Sequence, residues 1–319
     1  MLSVNREALR IVKNMIKNAE QLSIDVGELT NGATVIDAGV QAKGGLEAGV
    51  LIGEICLGGL GEVSLYPHWL DDILLPSVSV YTDQPVVACL ASQFAGWRIR
   101  VRDYFVMGSG PARALAQVEE KLFRKIGYKD KMDSAVIVLE TRELPNEEVM
   151  QFVAEKCNVD VSKTYAVVTP TASISGSVQI AARIVETGIH KITEVGLNPD
   201  RILHGFGNCP IVPVGKKDSK AMGMTNDAML FAGSVVLYVR SKEKDELKSI
   251  VDKTPSSASK DYGRPFYEIF KSVGGDFYKI DPGIFAPALI VVNDMRTGVT
   301  YKAGHINSGT LKKSLGFKE

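Results

Sequence analysis

The chain has 319 residues, of which 45% are hydrophobic and 23% are charged, as in ordinary globular proteins. Its 37 basic and 37 acidic residues leave no net charge, which argues against a nucleic-acid-binding protein held mainly by phosphate contacts. No apolar run approaches the roughly 20 residues needed to span a bilayer, and the N-terminus lacks the apolar core of a signal peptide. We therefore expect a cytoplasmic protein of two domains that does not associate with membranes.

The N-terminal third is expected to be predominantly β after one helix. In residues 3–22 apolar side chains recur at three- and four-residue spacing, which predicts an amphipathic helix with Ser3 as its N-cap. Asn31-Gly32 between two strand-like runs predicts a hairpin over residues 24–40. Further short apolar stretches, each interpreted as a strand, occur at residues 50–57, 62–66, 77–83 and 86–92.

Two similar units occupy the middle of the chain, each consisting of a strand, a small-residue loop and a helix. In the first, Gly108–Pro111 leads into a helix expected to end near Gly127. In the second, the loop around Ser175-Gly176-Ser177 leads into one helix expected to end at Gly188. Other strand-like and helix-like segments lie at residues 135–140, 146–157, 234–240, 243–251, 265–273 and 288–304.

This alternation predicts the α/β (α+β) class, with two mixed α/β domains. We place a β-rich domain at residues 1–130 and an α/β domain at residues 131–319. The boundary is approximate, and discontinuous domains remain open.

The small-residue loops expose backbone N–H groups at a helix N-terminus, where an anion can bind. Neither GSGPA at 108–112 nor ASISGSV at 172–178 matches GxGxxG or GxxxxGK[ST], so a nucleotide fingerprint is absent. Glycine and serine also permit tight turns and caps, which leaves the structural interpretation open.

An alternating segment at residues 97–102 places three arginines on one face of a predicted strand, Arg98, Arg100 and Arg102. The row would bind phosphate or carboxylate, or else form the solvated face of a half-buried sheet.

Arg183 and Glu186 are three residues apart, which puts them on one face of the predicted helix. From spacing alone, a surface ion pair contributing about 0–1 kcal/mol is the favoured interpretation.

Two glycine-rich segments, residues 203–215 and 222–233, would let a flat ligand approach the backbone closely. Asn208, Thr225, Asn226 and Asp227 are candidates to bind it by hydrogen bonds. Turns and helix caps explain the same residues, with Asp218 and Asn226 as possible N-caps.

Metal and covalent chemistry have no sequence-local signature. The four cysteines form no CxxC pair, which predicts buried free thiols, and the four histidines lack ligand spacing. There is no GxSxG elbow. We expect no metal or other cofactor, although a dispersed metal site stays open.

Four long segments carry a family resemblance: residues 169–194, 204–214, 222–233 and 281–294. Together they resemble the methenyltetrahydromethanopterin cyclohydrolases of archaea and some one-carbon-metabolising bacteria, nearly from end to end. The resemblance implies two α/β domains with a large pocket between them and a homo-oligomer, expected to be a trimer. It also implies reversible hydrolysis of a 5,10-methenyl pterin to its N5-formyl form, in one-carbon metabolism such as methanogenesis.

The resemblance further implies that Arg183 and Glu186 are catalytic. Glu186 would position and deprotonate a water, while Arg183 would orient both and lower the pKa of Glu186. The methenyl bridge is an amidinium-like cation with an electrophilic carbon, so this chemistry requires no Lewis-acid metal. Substrate-binding contacts are expected at Trp97 for the pterin ring, at Ser175, Gly176 and Ser177 for its anionic tail, and at Asn208, Thr225 and Asn226.

Two other functions compete with this one. A non-catalytic pterin-binding carrier would keep the pocket without turnover. An enzyme acting on a phosphate ligand, such as a kinase, would use the Ser-Gly loops but lacks the lysine-bearing phosphate motif.

Overall fold

The computed structural model describes residues 2–243, 245–276 and 279–317. The chain divides into two compact units, and both are discontinuous in sequence. Unit 1 comprises the chain up to Glu62 together with Val86–Gln179, and unit 2 comprises Val63–Pro85 together with the chain from Ile180 onward. This division differs from the expected boundary near residue 130, because two later strands pair into the sheet of unit 1. The predicted class, α/β with two mixed domains, is confirmed.

The described strands, in chain order, are β1 Asp25–Glu28, β2 Thr34–Asp37, β3 Glu62–Leu70, β4 Ile73–Thr82, β5 Trp97–Val101, β6 Tyr104–Ser109, β7 Ala135–Glu140, β8 Thr164–Thr169, β9 Ile202–Pro210, β10 Ser234–Val239, β11 Leu289–Asp294 and β12 Thr300–Gly304. The described α-helices are α1 Val4–Lys17, α2 Ala19–Leu22, α3 Leu46–Cys56, α4 Ala112–Ala116, α5 Glu120–Ile126, α6 Glu147–Cys157, α7 Ile174–Ala181, α8 Ile184–Glu194, α9 Asp218–Ala232, α10 Leu247–Asp252, α11 Phe266–Ser272 and α12 Ser308–Leu315. In the part of the chain that the structure describes, no helix is both long and apolar enough to cross a membrane.

Unit 1 is built on a six-stranded sheet in the order β1-β2-β8-β7-β6-β5. Strands β2, β8 and β7 are parallel, and the other pairings are antiparallel. The central strand β7 is apolar on both faces: Ile137 and Leu139 belong to one core cluster, Val136 and Val138 to another. A parallel strand covered on both sides requires such a continuous apolar run.

Unit 2 contains the second six-stranded sheet, in the order β12-β11-β10-β9-β4-β3. Its β10 and β11 are parallel, as β-strands joined by a long helical crossover are. Helices α9, α11 and α12 pack around a core that includes Phe231, Phe266 and Leu311. The hairpin predicted within residues 288–304 is confirmed as β11 and β12.

Several local predictions are confirmed. Ser3 accepts a hydrogen bond from the Arg6 backbone N–H at the start of α1. β1 and β2 form the antiparallel hairpin around Asn31-Gly32. Gly127 ends α5 with a left-handed backbone, φ 65°, although the single helix predicted after Pro111 is divided into α4 and α5.

Two predicted strands are helical instead. Residues 50–57 lie largely in α3, and residues 86–92 lie in a π-helix, Val86–Gln93. Periodicity cannot distinguish a short buried helix from a buried strand, because both are apolar on all sides. The prediction of a predominantly β N-terminal third is therefore wrong.

Other predictions about helices and their caps also need correction. The helix at residues 3–22 is interrupted at Asn18, and the helix expected to end at Gly188 is two helices, of which α8 continues to Glu194. The N-cap of α9 is Lys217, so neither Asp218, the first residue of the helix, nor Asn226, inside it, is an N-cap. The predicted helix at 243–251 begins at Leu247, and Lys244 lies outside the described residues.

The four cysteines are buried free thiols, as predicted. Cys56, Cys89 and Cys157 belong to unit 1, and Cys209 belongs to unit 2. Burial raises the pKa of the Cys157 thiol to about 12. It also raises the pKa of the Cys209 thiol, which is completely buried.

Asp227 ties three helices of unit 2 together. Its carboxylate, inside α9, accepts hydrogen bonds from the Phe266 backbone N–H at 2.8 Å and from the Ser314 hydroxyl. The residue is 0% exposed, and burial raises its pKa to about 7 against the lowering effect of these bonds. Asp227 thus serves the fold.

We predict that Asp227 makes unit 2 less stable as the pH rises. The folded pKa lies above the unfolded value, so the folded protein binds more protons between about pH 4 and pH 7 and loses free energy of unfolding across that interval. Relative to wild type, Asp227→Asn should gain roughly 1–4 kcal/mol between pH 4 and pH 8, measured by urea unfolding.

Asp294 provides the control of opposite sign. It is buried, but hydrogen bonds led by the Ser241 and Thr297 hydroxyls outweigh that burial and lower its pKa to about 2. Its stabilisation is present above about pH 4 and is lost as the pH falls through the folded pKa. Asp294→Asn should therefore be destabilised most at neutral pH. Equal pH profiles for the two variants would contradict both assignments.

Candidate active site

The start of α8 holds the two residues that the family resemblance implies to be catalytic. Arg183 is the N-cap residue of α8, with φ −80° and ψ 0°, and Glu186 lies in the first turn. Arg183 donates its backbone N–H to the Ile180 carbonyl at 3.0 Å and accepts the Thr187 N–H at 2.8 Å. The two residues are therefore brought together by a helix start, where the sequence predicted the interior of a longer helix.

Glu186 is only 7% exposed, whereas Arg183 is half-buried. A carboxylate with so little contact to water is costly unless polar groups and positive charge compensate it. The N-terminus of α8 presents the positive end of the helix dipole to Glu186, and the N-cap residue Arg183 precedes Glu186 by three positions.

Two glycines of β9 let α8 approach the sheet of unit 2 closely. A Cβ on Gly205 would lie 2.7 Å from Cγ1 of Val185, and a Cβ on Gly207 would lie 3.0 Å from side-chain atoms of both Ile184 and Val185. Larger residues at these positions would push the start of α8 away. The glycine-rich stretch thus serves to position the first turn of α8 on the strand.

Asn208 lies on the opposite face of this sheet. It is directly paired with Ser79 and Ser234, one position out of phase with the glycines that face α8. Because strand side chains alternate between faces, its side chain is directed away from the helix. The structure therefore does not bring Asn208 together with Arg183 and Glu186.

The polar residues of α9 bond within the protein. The Thr225 hydroxyl donates to the Ala221 and Met222 carbonyls, and the Asn226 amide donates to the Met222 carbonyl at 2.8 Å. Thr225 is buried, whereas Asn226 is half-buried and keeps its side-chain oxygen as an acceptor.

The unit 1 candidates are largely enclosed. Trp97, expected to contact the pterin ring, is 3% exposed and belongs to a core cluster. The Ser175 hydroxyl bonds with the N–H and carbonyl of Gly45, at 3.0 and 3.1 Å, and Gly176 donates its N–H to Ser173. Ser177 is buried as well. A tail contact at these three residues would require them to leave their present surroundings.

Two of the three arginines in the predicted row lie on one strand. Arg98 and Arg100 are exposed on β5, and the guanidinium of Arg100 lies 4.9 Å from the ring centroid of Phe105. Arg102 lies in the following turn with φ 50° and pairs with Glu148 at 2.6 Å, so the strand ends before the third position.

The carboxyl edge of the parallel strands in unit 1 was missed by sequence reasoning. β2 ends at Asp37, β8 at Thr169 and β7 at Glu140, and the register places Glu140 beside Thr169. Ligands of open α/β sheets bind at such edges. Finding this edge from the sequence would have required the directions of the three strands, which a single sequence does not contain.

Within the described ranges, no group of three or more histidine, cysteine, aspartate or glutamate side chains is placed to hold a metal ion.

Comparisons with known proteins identify the family. The model of the family described as Cyclohydrolase (MCH) matches residues 3–315. Two proteins named methenyltetrahydromethanopterin cyclohydrolase, from Methanocaldococcus jannaschii and Methanocella arvoryzae, are each 50% identical over 100% of both chains. A third with that name, from Methanococcoides burtonii, is 45% identical over 100% of this chain and 99% of its own. The chain belongs to the cyclohydrolase family and is an enzyme of the hydrolase class, and the resemblance found in its sequence is confirmed.

We predict that Gly205→Ala displaces the start of α8. The added Cβ meets Val185 at 2.7 Å, so overpacking should cost about 1–3 kcal/mol and lower the turnover rate through Arg183 and Glu186. Thermal unfolding and steady-state kinetics measure the two effects. Combining the change with Val185→Ala should restore part of the activity.

Gly309→Ala is the matched control in the same unit. Its Cβ would meet nothing nearer than the Asn307 side-chain oxygen at 3.9 Å, and alanine is the better helix former. Stability should stay equal or rise slightly, with activity unchanged. If Gly205→Ala behaves in the same way, the glycine does not set the helix position.

Proposed function

We propose that this enzyme reversibly hydrolyses 5,10-methenyl-tetrahydromethanopterin to the N5-formyl derivative in one-carbon metabolism. Full-length identity of 45–50% to proteins named methenyltetrahydromethanopterin cyclohydrolase supports the substrate. The observation that carries the mechanism is the nearly buried Glu186 in the first turn of α8, one turn from Arg183. No metal or other cofactor takes part in the proposed reaction.

The reaction begins with water over the bridging carbon, which is electrophilic because it belongs to an amidinium cation. Glu186 accepts a proton from the water as the new C–O bond forms. The tetrahedral adduct then loses its hydroxyl proton while the C–N10 bond breaks and N10 takes a proton. The amidinium cation and one water give an uncharged formamide group and one released proton.

Arg183 orients the carboxylate and the water in this scheme. Its charge and the dipole of α8 both favour ionised Glu186, which also makes that carboxylate a weaker base. Positioning of the water therefore contributes more to the rate than basicity does. In the reverse direction, protonated Glu186 acts as the acid on the departing hydroxyl.

We predict that Glu186→Gln lowers kcat by about 10²- to 10⁴-fold, since the amide cannot accept the proton of the attacking water. Arg183→Ala should also lower kcat, because the water and the carboxylate lose their orienting charge. The measurement is the loss of the methenyl chromophore when purified protein meets the methenyl pterin, at matched folding stability.

Glu194→Gln is the matched control, because Glu194 lies in the last turn of the same helix and its side chain is 46% exposed. Its activity should equal that of wild type. Turnover that survives Glu186→Gln would show that another group is the base.

The same experiment tests the two alternative functions. Wild-type protein that binds the pterin without hydrolysing it would be the non-catalytic carrier. Stabilisation of the protein by nucleotides would favour an enzyme acting on phosphate ligands.

A homotrimer is the proposed assembly. The support is the family resemblance together with a group of exposed aromatic side chains on one face of the unit 2 sheet, Tyr81, Phe206 and Tyr238, which are 38–45% exposed. Oligomer interfaces are enriched in aromatic residues.

We predict a mass in solution three times that of the chain, measured by light scattering. Phe206→Asp should lower that mass if the aromatic face is buried between copies. A monomeric wild type would contradict the assembly.

The cytoplasmic location and the expected lack of nucleic-acid and membrane partners stay predictions.

A further inference from the structure

The turn between β1 and β2 contains the one Asn-Gly dipeptide of the sequence, Asn31-Gly32. Gly32 has a left-handed backbone, φ 86°, and a Cβ at this residue would lie 2.9 Å from Cβ of Ser162. Glycine is therefore required here, both for the backbone conformation and for the close approach of Ser162. The turn thus keeps a dipeptide that is chemically labile.

An Asn-Gly dipeptide is labile because glycine has no side chain to hinder attack by its own backbone nitrogen. The Gly32 nitrogen, after losing its proton, can attack the side-chain carbonyl carbon of Asn31. A C–N bond forms, and Nδ2 leaves as ammonia. Water then opens the resulting succinimide at either carbonyl, which gives aspartate or isoaspartate. The overall change consumes one water and releases one ammonia, and it requires no other reactant.

The folded turn restrains both reacting groups. The Gly32 N–H donates to the Leu29 carbonyl at 2.8 Å, so its proton is already engaged within the turn. The Asn31 side chain accepts the Ala33 N–H at 3.3 Å through Oδ1. Its Nδ2 donates to the Glu147 backbone carbonyl at 3.0 Å. Attack therefore requires both the Gly32 backbone and the Asn31 side chain to leave these bonds.

A second contact docks the same turn on α6. The Thr30 hydroxyl donates to Oε1 of Glu147 at 3.0 Å. The pKa of Glu147 is lowered first by its own backbone N–H and then by the Thr30 hydroxyl and backbone N–H. Glu147 is the first residue of α6. Side-chain bonds from Thr30 and from Asn31 therefore both tie the turn to the start of this helix.

We propose that Asn31 is a deamidation site and that the docking of its turn on α6 controls the reaction. While the turn is docked, the reaction is suppressed, and when the turn opens, Gly32 attacks. The product carboxylate has no N–H to donate and would bring a negative charge towards the Glu147 carbonyl oxygen. Deamidation thus converts a transient opening of the hairpin into a permanent one, whichever reaction the enzyme catalyses.

The test incubates the full-length protein at mildly alkaline pH, either folded or unfolded in guanidinium chloride. Peptide mapping by mass spectrometry measures aspartate and isoaspartate at position 31. The folded protein should deamidate at least about 10-fold more slowly than the unfolded chain, because the rate follows the population of the open turn.

Thr30→Val keeps the β-branched shape and removes the hydrogen bond to Glu147. It should raise the rate in the folded protein by about 2- to 10-fold, the factor that corresponds to the loss of one hydrogen bond. In guanidinium chloride its rate should equal that of wild type. Should Thr30→Val fail to fold, Glu147→Ala removes the same hydrogen bond from the other side and should also raise the folded rate.

Thr141→Val is the matched control. It makes the same change in unit 1, at a hydroxyl that accepts the Glu143 backbone N–H and does not contact the turn. Its folded rate at Asn31 should equal that of wild type.

Asn31→Asp tests the stability of the product. It should unfold at a lower denaturant concentration than wild type at neutral pH. The difference should shrink as the pH falls through the ordinary aspartate range, where a protonated carboxyl can again donate to the Glu147 carbonyl.

Equal deamidation rates in the folded and unfolded protein, or a folded Thr30→Val rate equal to that of wild type, would overturn the control by docking. An Asn31→Asp variant as stable as wild type at neutral pH would show that the product docks again, which would overturn the permanence of the opening.

Discussion

The close contact between α8 and β9 is the constraint on which the catalytic candidates depend. Gly205 and Gly207 remove the side chains that would otherwise separate helix and strand, so Ile184 and Val185 pack directly on the sheet. Protein interiors transmit such steric changes because they are close-packed. Arg183 and Glu186 flank this contact in the same turn, and their positions follow from backbone approach as much as from their own interactions.

Two acidic residues at the carboxyl edge of the unit 1 sheet, Asp37 and Glu140, have different hydrogen-bond partners. The Asp37 carboxylate accepts hydrogen bonds from four successive backbone N–H groups, and these bonds hold the loop after β2 in place. Glu140 accepts hydrogen bonds from two side chains, the Thr171 hydroxyl and the Gln179 amide. The number of committed acceptor sites distinguishes the two, although both acids end parallel strands of one sheet.

Local signals in the sequence predicted local structure well. The Ser3 cap, the Asn31-Gly32 hairpin and the Gly127 helix end each depend on one or two residues, and each is confirmed. Strand order and the discontinuous units depend on pairings between distant residues, which a single sequence does not contain. The apolar runs at 50–57 and 86–92 were misassigned because burial on all sides removes the periodicity that separates helix from strand. Likewise, spacing alone could not separate Arg183 and Glu186 from a surface ion pair, and the family resemblance supplied that hypothesis.

The distribution of the buried thiols makes the two units distinguishable in solution. A thiol reagent reacts with the thiolate, which burial suppresses at Cys157 and Cys209, so modification requires the surrounding structure to open. Cys209 is the cysteine of unit 2, and the other three lie in unit 1. The rate at which each site is alkylated therefore measures the opening of its own unit, without any label added to the chain.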